Sequence, residues 1–314
     1  MITYEEIKNN PTVFRSLTSL DVAEFEDLLP AFTQAWQCYI EQEFVKGKER
    51  KRLFGGGRKP VLSTIENKLL FILFYMKTYP LQEVIAFFFG MSQGQANVWI
   101  HRLAKVLQMA LEIKDLLPER NATQLETTLA EYVVQEFIID GTERRRQRPK
   151  DKKEQKKYYS GKKKTHTIKN NVIVHPESRK VTYLSKTVEG KKHDKKLCDE
   201  EKLAFPPGSI LLQDTGFQGF APDKVIVLQP KKKQRGKDLT IEQKMINRVI
   251  SSVRIVVENI IAGIKRCRVV KDIFRNTKQK FDDLVMEIAC GLHNLRVESR
   301  SPQQQFNLVD FYFQ

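Results

Sequence analysis

The sequence predicts a helical amino-terminal region joined to an α/β domain with a mixed sheet. As far as Leu117-Pro118, apolar residues recur at helical spacing behind capping signals; beyond it, short apolar runs bounded by turns alternate with segments of helical period. The composition supports folded domains of this kind. At 41% hydrophobic and 29% charged, the 314 residues can fill one or two packed cores, and they lie outside disordered, collagenous and disulfide-scaffold compositions.

Taken in order, Leu17, Leu20, Phe25, Leu28, Leu29, Trp36, Ile40 and Phe44 predict two or three short helices broken at Pro30. The basic, glycine-rich KGKERKRLFGGGRKP that follows reads as a flexible joint. Ser63 with Glu66 three residues on is a capping-box start for a helix reaching Tyr79-Pro80; Leu81 to Phe89 forms a second, stopped by Gly90. Ser92 with Gln95 opens a third that runs to about Leu111. Three helices with a glycine-containing turn before the last suggest a helix-turn-helix. The run Phe87-Phe88-Phe89 is expected in its core.

After Pro118, strands are expected over Tyr132 to Ile139, Thr165 to His175, Lys180 to Thr187, Ser209 to Leu212 and Lys224 to Leu228. Helices are expected from His193 to Leu203, from a Thr240–Gln243 capping box to about Cys267, and from Lys280 to Arg296. The domain boundaries that follow are 1–57, 58–117 and 118–314.

Charge points to the partner. The chain carries 54 Lys+Arg against 38 Asp+Glu, a formal charge of +16, and a basic surface associates with polyanions by releasing condensed counterions. Nucleic acid is the leading partner class. The longest apolar stretches, Leu69 to Met76 and Val84 to Met91, fall far short of the roughly 18 residues a membrane span needs, so no membrane association is expected. The acidic start MITYEEIKNNP lacks the basic-then-apolar pattern of an export signal, which predicts a cytoplasmic protein. Cys38, Cys198, Cys267 and Cys290 form no CxxC pair and the five histidines no ligand spacing, which argues against zinc and against a disulfide framework.

The charges are arranged as well as numerous. On the third helix, Ala96, Ile100, Leu103 and Leu107 form a core stripe, while Gly94, Asn97, Val98, His101, Arg102 and Lys105 occupy the opposite face. Amide, imidazole and guanidinium groups reach base edges in a major groove, so Asn97, His101 and Arg102 are the candidate base contacts, with Lys105 beside them. The densest basic run, ERRRQRPKDKKEQKKYYSGKKK, supplies Arg144, Arg145, Arg146, Arg148, Lys162, Lys163 and Lys164 as candidate DNA contacts. PKKKQRGK at Pro230–Lys237 is a smaller run of the same kind.

Three acids stand out beside these cations. Asp140 and Asp214 follow the apolar runs VVQEFII and SILLQ, at strand ends where open sheets place functional groups, although Asp-Gly and Asp-Thr-Gly also occur as simple turns. Glu258 is the only acid between Glu242 and Asp272. It shares a polar helical stripe with Asn247, Ser251, Arg254 and Lys265, and an ordinary i, i+4 surface pair with Arg254 is its plain alternative. If the three converge, they can hold a pair of Mg²⁺ ions about 3.5–4 Å apart, with Mn²⁺ able to substitute, and Arg254 and Lys265 can bind flanking phosphates. Without metal the three acids would repel one another, which predicts metal dependence.

At these residues the chain resembles a bacterial insertion-sequence transposase of the DDE superfamily, in insertion-sequence family five and related to the eukaryotic Harbinger group. The matching stretches are TYPLQEVIAFFFGMSQGQANVWIHR, IDGTE with QRPKDKKEQKKYYSGKKKTHTIKN, HDKK, LLQDTGFQG, SSVRIVVENIIAGIKRCRVV and EIACGLHNLR, spanning roughly Leu53 to Arg296. The resemblance implies a ribonuclease-H-like catalytic domain behind a helix-turn-helix, with Asp140, Asp214 and Glu258 as the DDE residues.

Around the last acid the family pattern is Tyr, two residues, Arg, three residues, Glu, six residues, Lys. Arg254, Glu258 and Lys265 fit it and Ser251 replaces the Tyr, which puts one phosphate or base contact in doubt but not the metal site. Between Asp214 and Glu258 there is no room for the large insertion domain some relatives carry. His193-Asp194 matches a further family segment of unassigned role.

The expected activity is binding of double-stranded DNA at the terminal inverted repeats, Mg²⁺-dependent cleavage of the ends, and joining of the freed 3′-hydroxyls to target DNA. Handling two ends implies a homodimer or larger assembly on DNA, in the nucleoid of a bacterial cell. The alternative is a catalytically inactive, transposase-derived DNA-binding or regulatory protein. The intact acid triad argues against it, because a pure binder has no need of uncompensated carboxylates against DNA.

Overall fold

The computed structural model describes residues 1–46, 60–233 and 238–300, apart from the side chains of Ile246 and Val249. The expected joint after Lys46 lies almost wholly outside the described residues, as does the second half of Pro230–Lys237. By its contacts the chain divides into a helical unit (1–117, 265–272 and 276–296) and an α/β unit (118–264, 273–275 and the residues after 296). This division cuts the chain at 117/118, and the first helices pack on those that follow.

In the helical unit, side-chain caps fix where most helices begin. Thr3, Asn10 and Asp21 precede α1 (Tyr4–Ile7), α2 (Pro11–Thr18) and α3 (Val22–Ile40). The break expected at Pro30 does not occur. Proline removes one helical hydrogen bond, but Phe25, Leu28, Ala31, Phe32 and Ala35 are buried on either side of it and keep α3 continuous into a π-helical turn, Glu41–Val45.

Next come α4 (Ile65–Thr78), α5 (Gln82–Phe88) and α6 (Gln93–Ile113). Thr64, one residue later than expected, caps α4 by accepting from the Asn67 N–H, and the Ser92–Gln95 capping box opens α6 as expected. Gly90 between α5 and α6 has φ +64°, a turn conformation that favours glycine. Of the three consecutive phenylalanines expected in the core, only Phe89 is fully buried. Phe87 is 83% exposed, because successive residues of a short amphipathic helix cannot share one face.

The α/β unit starts with α7 (Leu125–Ala130), which shows no strong sequence signal, and β1 (Glu136–Arg145). The basic run contains α8 (Lys152–Tyr158) and β2 (Tyr159–Ser160). Then follow β3 (Thr165–His175), β4 (Lys180–Leu184), β5 (Val188–Glu189), α9 (Asp194–Glu201), β6 (Ile210–Gln213), a 3₁₀ turn at Thr215–Phe217, β7 (Ile226–Leu228) and α10 (Ile241–Ile264). Strand order is β2-β3-β1-β6-β7, with β4 and β5 also paired to β3. Strand β1 is antiparallel to β3 and parallel to β6, and β6 is parallel to β7. This mixed sheet with helices is ribonuclease-H-like, as the resemblance implies. Phe137, Ile139, Ile173, Tyr183, Leu211 and Phe217 form its buried centre.

Strand β1 starts later and ends later than expected, since its pairing with β3 continues to Arg145↔Thr167. Asp140-Gly141 is therefore mid-strand and not a hairpin turn. The chain then returns to the helical unit through α11 (Arg268–Lys271), which packs on α4, and α12 (Phe281–Arg300). Along α12, Asn294 Nδ2 donates to the Leu116 carbonyl (3.0 Å) and Arg296 Nη1 to Ser19 Oγ (3.1 Å).

Candidate active site

The parallel pairing of β1 with β6 ends at Ile139↔Gln213. The residue that follows this last parallel pair is an aspartate on each chain segment, Asp140 within β1 and Asp214 just past β6. Asp140 stays in the β1–β3 ladder opposite Val172, whereas Asp214 leaves its strand and caps the 3₁₀ turn. Each aspartate accepts a hydrogen bond from the next backbone N–H: Gly141 N to Asp140 Oδ1 at 2.8 Å and Thr215 N to Asp214 Oδ1 at 2.6 Å. From α10, which packs against β1, Arg254 Nη1 reaches Asp214 Oδ1 at 3.2 Å.

Burial pushes the Asp140 carboxyl up to about 6. The Gly141 N–H and Arg254 pull it down, and the charges of Asp214 and Asp194 push it further up. Buried within β1 and beside two other acids, Asp140 is the kind of hard oxygen donor that suits a divalent cation.

Glu258 lies four residues beyond Arg254 on the same helix, about 6 Å along the axis. Its side chain is exposed, and among the described residues no three His, Cys, Asp or Glu side chains are grouped so as to hold a metal ion. The structure brings together Asp140, Asp214 and Arg254, while Glu258, four residues further along the same helix, is exposed. Ser251 donates from Oγ to the Asn247 carbonyl (2.7 Å), and Lys265 falls one residue past α10, within the helical unit.

A further carboxylate sits at this site. Asp194, in the first turn of α9, has Oδ1 2.9 Å from Lys169 Nζ, and Lys169 is 3.5 Å from Glu143 Oε1. Lys169 and Glu143 face each other across β1 and β3. Sequence reasoning passed over both, although a lysine inside the apolar run THTIKNNVIVH signals a paired, buried charge.

The expected DNA contacts divide. Arg144 is buried, because strand alternation in the extended β1 turns it inward; its Nη2 donates to Asn170 Oδ1 (2.8 Å) and Thr187 Oγ1 (3.1 Å), so its assignment as a DNA contact is corrected. Arg146 stacks on Tyr158 with 3.9 Å to the ring centroid, and Arg148 donates to Gln155. Arg145, Lys162, Lys163 and Lys164 are exposed.

On α6, His101 turns onto Phe281 (ring centroids 4.5 Å), and burial, with Lys278 nearby, lowers its pKa to about 4. Arg102 lies over Phe44 and Trp99, and Lys105 pairs with Glu43 at 3.6 Å. Asn97 is half-buried; Gly94 and Val98 are exposed.

Fold and site define a class, and comparison with known proteins agrees with it. The family described as DDE superfamily endonuclease matches residues 139–294, and the helix-turn-helix of DDE superfamily endonuclease matches residues 60–112. In these two regions the chain is similar to DDE-superfamily transposases. It is 29% identical over 252 residues to a probable transposase for insertion sequence element IS702 from Microchaete diplosiphon, covering 80% of this chain and 87% of that protein. No solved structure matches it. No helix among the described residues is long and apolar enough to cross a membrane.

Proposed function

We propose that the protein is a DNA transposase that binds the terminal inverted repeats of its own insertion sequence, cleaves their ends and transfers the 3′-hydroxyls into target DNA. The carrying observation is the pair Asp140 and Asp214 on adjacent parallel strands, with Arg254 reaching Asp214 from the helix that also bears Glu258. Asp140, Asp214 and Glu258 would hold Mg²⁺, or Mn²⁺ in its place. When bound, the ions supply a more acidic water or 3′-hydroxyl for in-line attack and stabilise the leaving oxyanion. Arg254 balances the charge of Asp214 in the metal-free chain and is placed to take a DNA phosphate instead. Lys265 and the exposed Arg145 and Lys162 to Lys164 would contact flanking phosphates, and Asn97 base edges. Handling two ends calls for a homodimer or larger assembly on DNA.

A DNA-binding regulator without catalysis is the second reading, favoured by the lack, among the described residues, of three grouped side chains able to hold a metal ion. Incubation with a labelled duplex carrying the inverted repeat that flanks its gene separates the two. Mg²⁺-dependent strand cleavage that falls roughly a thousandfold, or about 4 kcal/mol in barrier, in Asp140→Ala with binding retained supports the transposase. Equal binding with no cleavage by either protein supports the regulator.

A further inference from the structure

Gly141 and Gly216, each two residues or fewer beyond one of the aspartates, do not need the conformational freedom of glycine. Neither has positive φ, unlike Gly90, Gly208 and Gly219, and Gly141 is an ordinary ladder residue opposite Asn171. What they share is a neighbour. A β-carbon on Gly141 would lie 2.9 Å from both Cγ and Oδ1 of Asp194, closer than real β-carbons come, and one on Gly216 would lie 3.3 Å from its Oδ2. The carboxylate of Asp194 thus fits against the backbones that carry Asp140 and Asp214, and room for it explains both glycines.

Its position is held from behind. Lys169, with only 7% of its side chain exposed, meets Asp194 Oδ1 at 2.9 Å, and Asn171 Nδ2 donates to the Asp194 carbonyl at 2.9 Å and contacts Cys198 Sγ at 3.2 Å. These bonds tie the first turn of α9 to β3 at the level of Gly141. Lys169 also faces Glu143, so one buried cation serves two carboxylates and leaves the cluster with a net negative charge. A charged pair this buried is costly to form and costly to break on one side, so its place beside the strand ends calls for a role there.

We infer that Asp194, clamped by Lys169, is a positioning residue of the catalytic site: it sets the backbones of Asp140-Gly141 and Asp214-Thr215-Gly216 and so tunes the affinity of the aspartate pair for a divalent cation. The inference rests on the proposed transposase site. It is not a claim that Asp194 ligates metal.

The test is Mn²⁺ titration calorimetry on the full chain, with cleavage of the terminal-repeat duplex alongside. Asp194→Asn keeps shape and removes charge. It binds Mn²⁺ tenfold or more weakly and cleaves 10- to 100-fold more slowly, the range for residues that act through metal ligands, with DNA affinity unchanged and metal-free melting lowered by the broken pair with Lys169, so both are measured well below the melting temperature. Lys169→Met gives the same loss. Gly216→Ala, which crowds the carboxylate without altering it, also weakens Mn²⁺ binding and adds nothing further in the Asp194→Asn background.

Should Asp194→Asn prove unfolded, Gly216→Ala decides alone, and Mn²⁺ affinity equal to wild type overturns the inference. So does Asp194→Asn with wild-type Mn²⁺ affinity, or losses in the double variant that simply multiply. If the wild type cleaves, Asp140→Ala does not, and Asp194→Asn is unaffected, only this inference fails. A wild-type chain that binds no Mn²⁺ overturns the transposase reading with it.

Discussion

The strand pair β1–β6, which carries Asp140 and leads into Asp214, and the polar face of α6 both hold candidate site residues in the sequence, and they fare differently in the fold. On the sheet the two acids remain together, because the Ile139↔Gln213 pairing puts the following residues side by side whatever surrounds them. On α6 the cluster is divided among neighbours: His101 goes to Phe281, Arg102 to Phe44 and Trp99, and Lys105 to Glu43. A strand register is fixed by its own ladder, whereas a helical face is exposed or covered according to what packs on it. The first can be read from two short segments, and the second needs the whole unit.

The sharpest way to break this comparison is to titrate the acid pair. Asp140 is held near 6, above its ordinary 3.8, so the folded state keeps a proton there that the unfolded chain releases. Its contribution to stability is therefore fully present below pH 4 and is lost as pH rises through 6. In metal-free buffer, stability is expected to fall between pH 4 and 7 by up to about 3 kcal/mol, from the 1.36 kcal/mol that accompanies each pH unit of displacement. Asp140→Asn removes that dependence and is the more stable protein at pH 7. Mg²⁺ narrows the gap by binding the wild type only. Chemical denaturation at pH 4, 5.5 and 7 measures it, and a flat wild-type profile would show that Asp140 is not held in the buried, acid-flanked position described here.

Against this, the helical face yields smaller effects of the opposite sign. Burial keeps His101 neutral, with its pKa near 4 against an ordinary 6.5. The unfolded chain takes up the proton first, so the helical unit loses stability as pH drops from 6.5 toward 4. His101→Ala is expected to lower the melting temperature, with a cost of about 1–2 kcal/mol from lost packing. Asn97→Ala is expected to leave melting unchanged and weaken binding to the terminal repeat by about 1–3 kcal/mol, the range for a base contact. A selective loss of DNA affinity in the histidine variant, with normal melting, would return His101 to the reading face.

How much could be read in advance follows the same division. Capping at Ser92, the span Thr165–His175 and the two aspartates were legible because short-range chemistry determines them. The continuity of α3 through Pro30 was not, since burial of Phe25 and Phe32 outweighs a local breaking signal. Nor was the inward turn of Arg144, which depends on β1 outrunning its apolar run to pair with β3. Glu258 stands between: its helix and stripe were legible, while its exposure depends on how α10 packs. The glycines after Asp140 and Asp214 carried the signal for Asp194, hidden because Asp-Gly and Asp-Thr-Gly pass for turns.

The basic run offers the finest test, since its cations separate into structural and free ones within a few residues. Arg144 is hydrogen-bonded inside the sheet and Arg146 stacks on Tyr158, while Lys162, Lys163 and Lys164 stand exposed. Each lysine that neutralises a phosphate contributes about 0.9 to the slope of log affinity against log salt concentration. Replacing all three with alanine is expected to flatten that slope by up to about 2.7 and to leave melting unchanged. Arg144→Ala is expected to do the reverse, removing a buried donor from Asn170 and Thr187 and leaving a cavity in the sheet at a cost of about 1–3 kcal/mol, and shifting the slope little. The discriminating observation is which variant changes the salt slope of binding to the terminal repeat. If the lysine variant keeps the wild-type slope, the exposed end of this run serves solubility alone, and the phosphates must be met elsewhere.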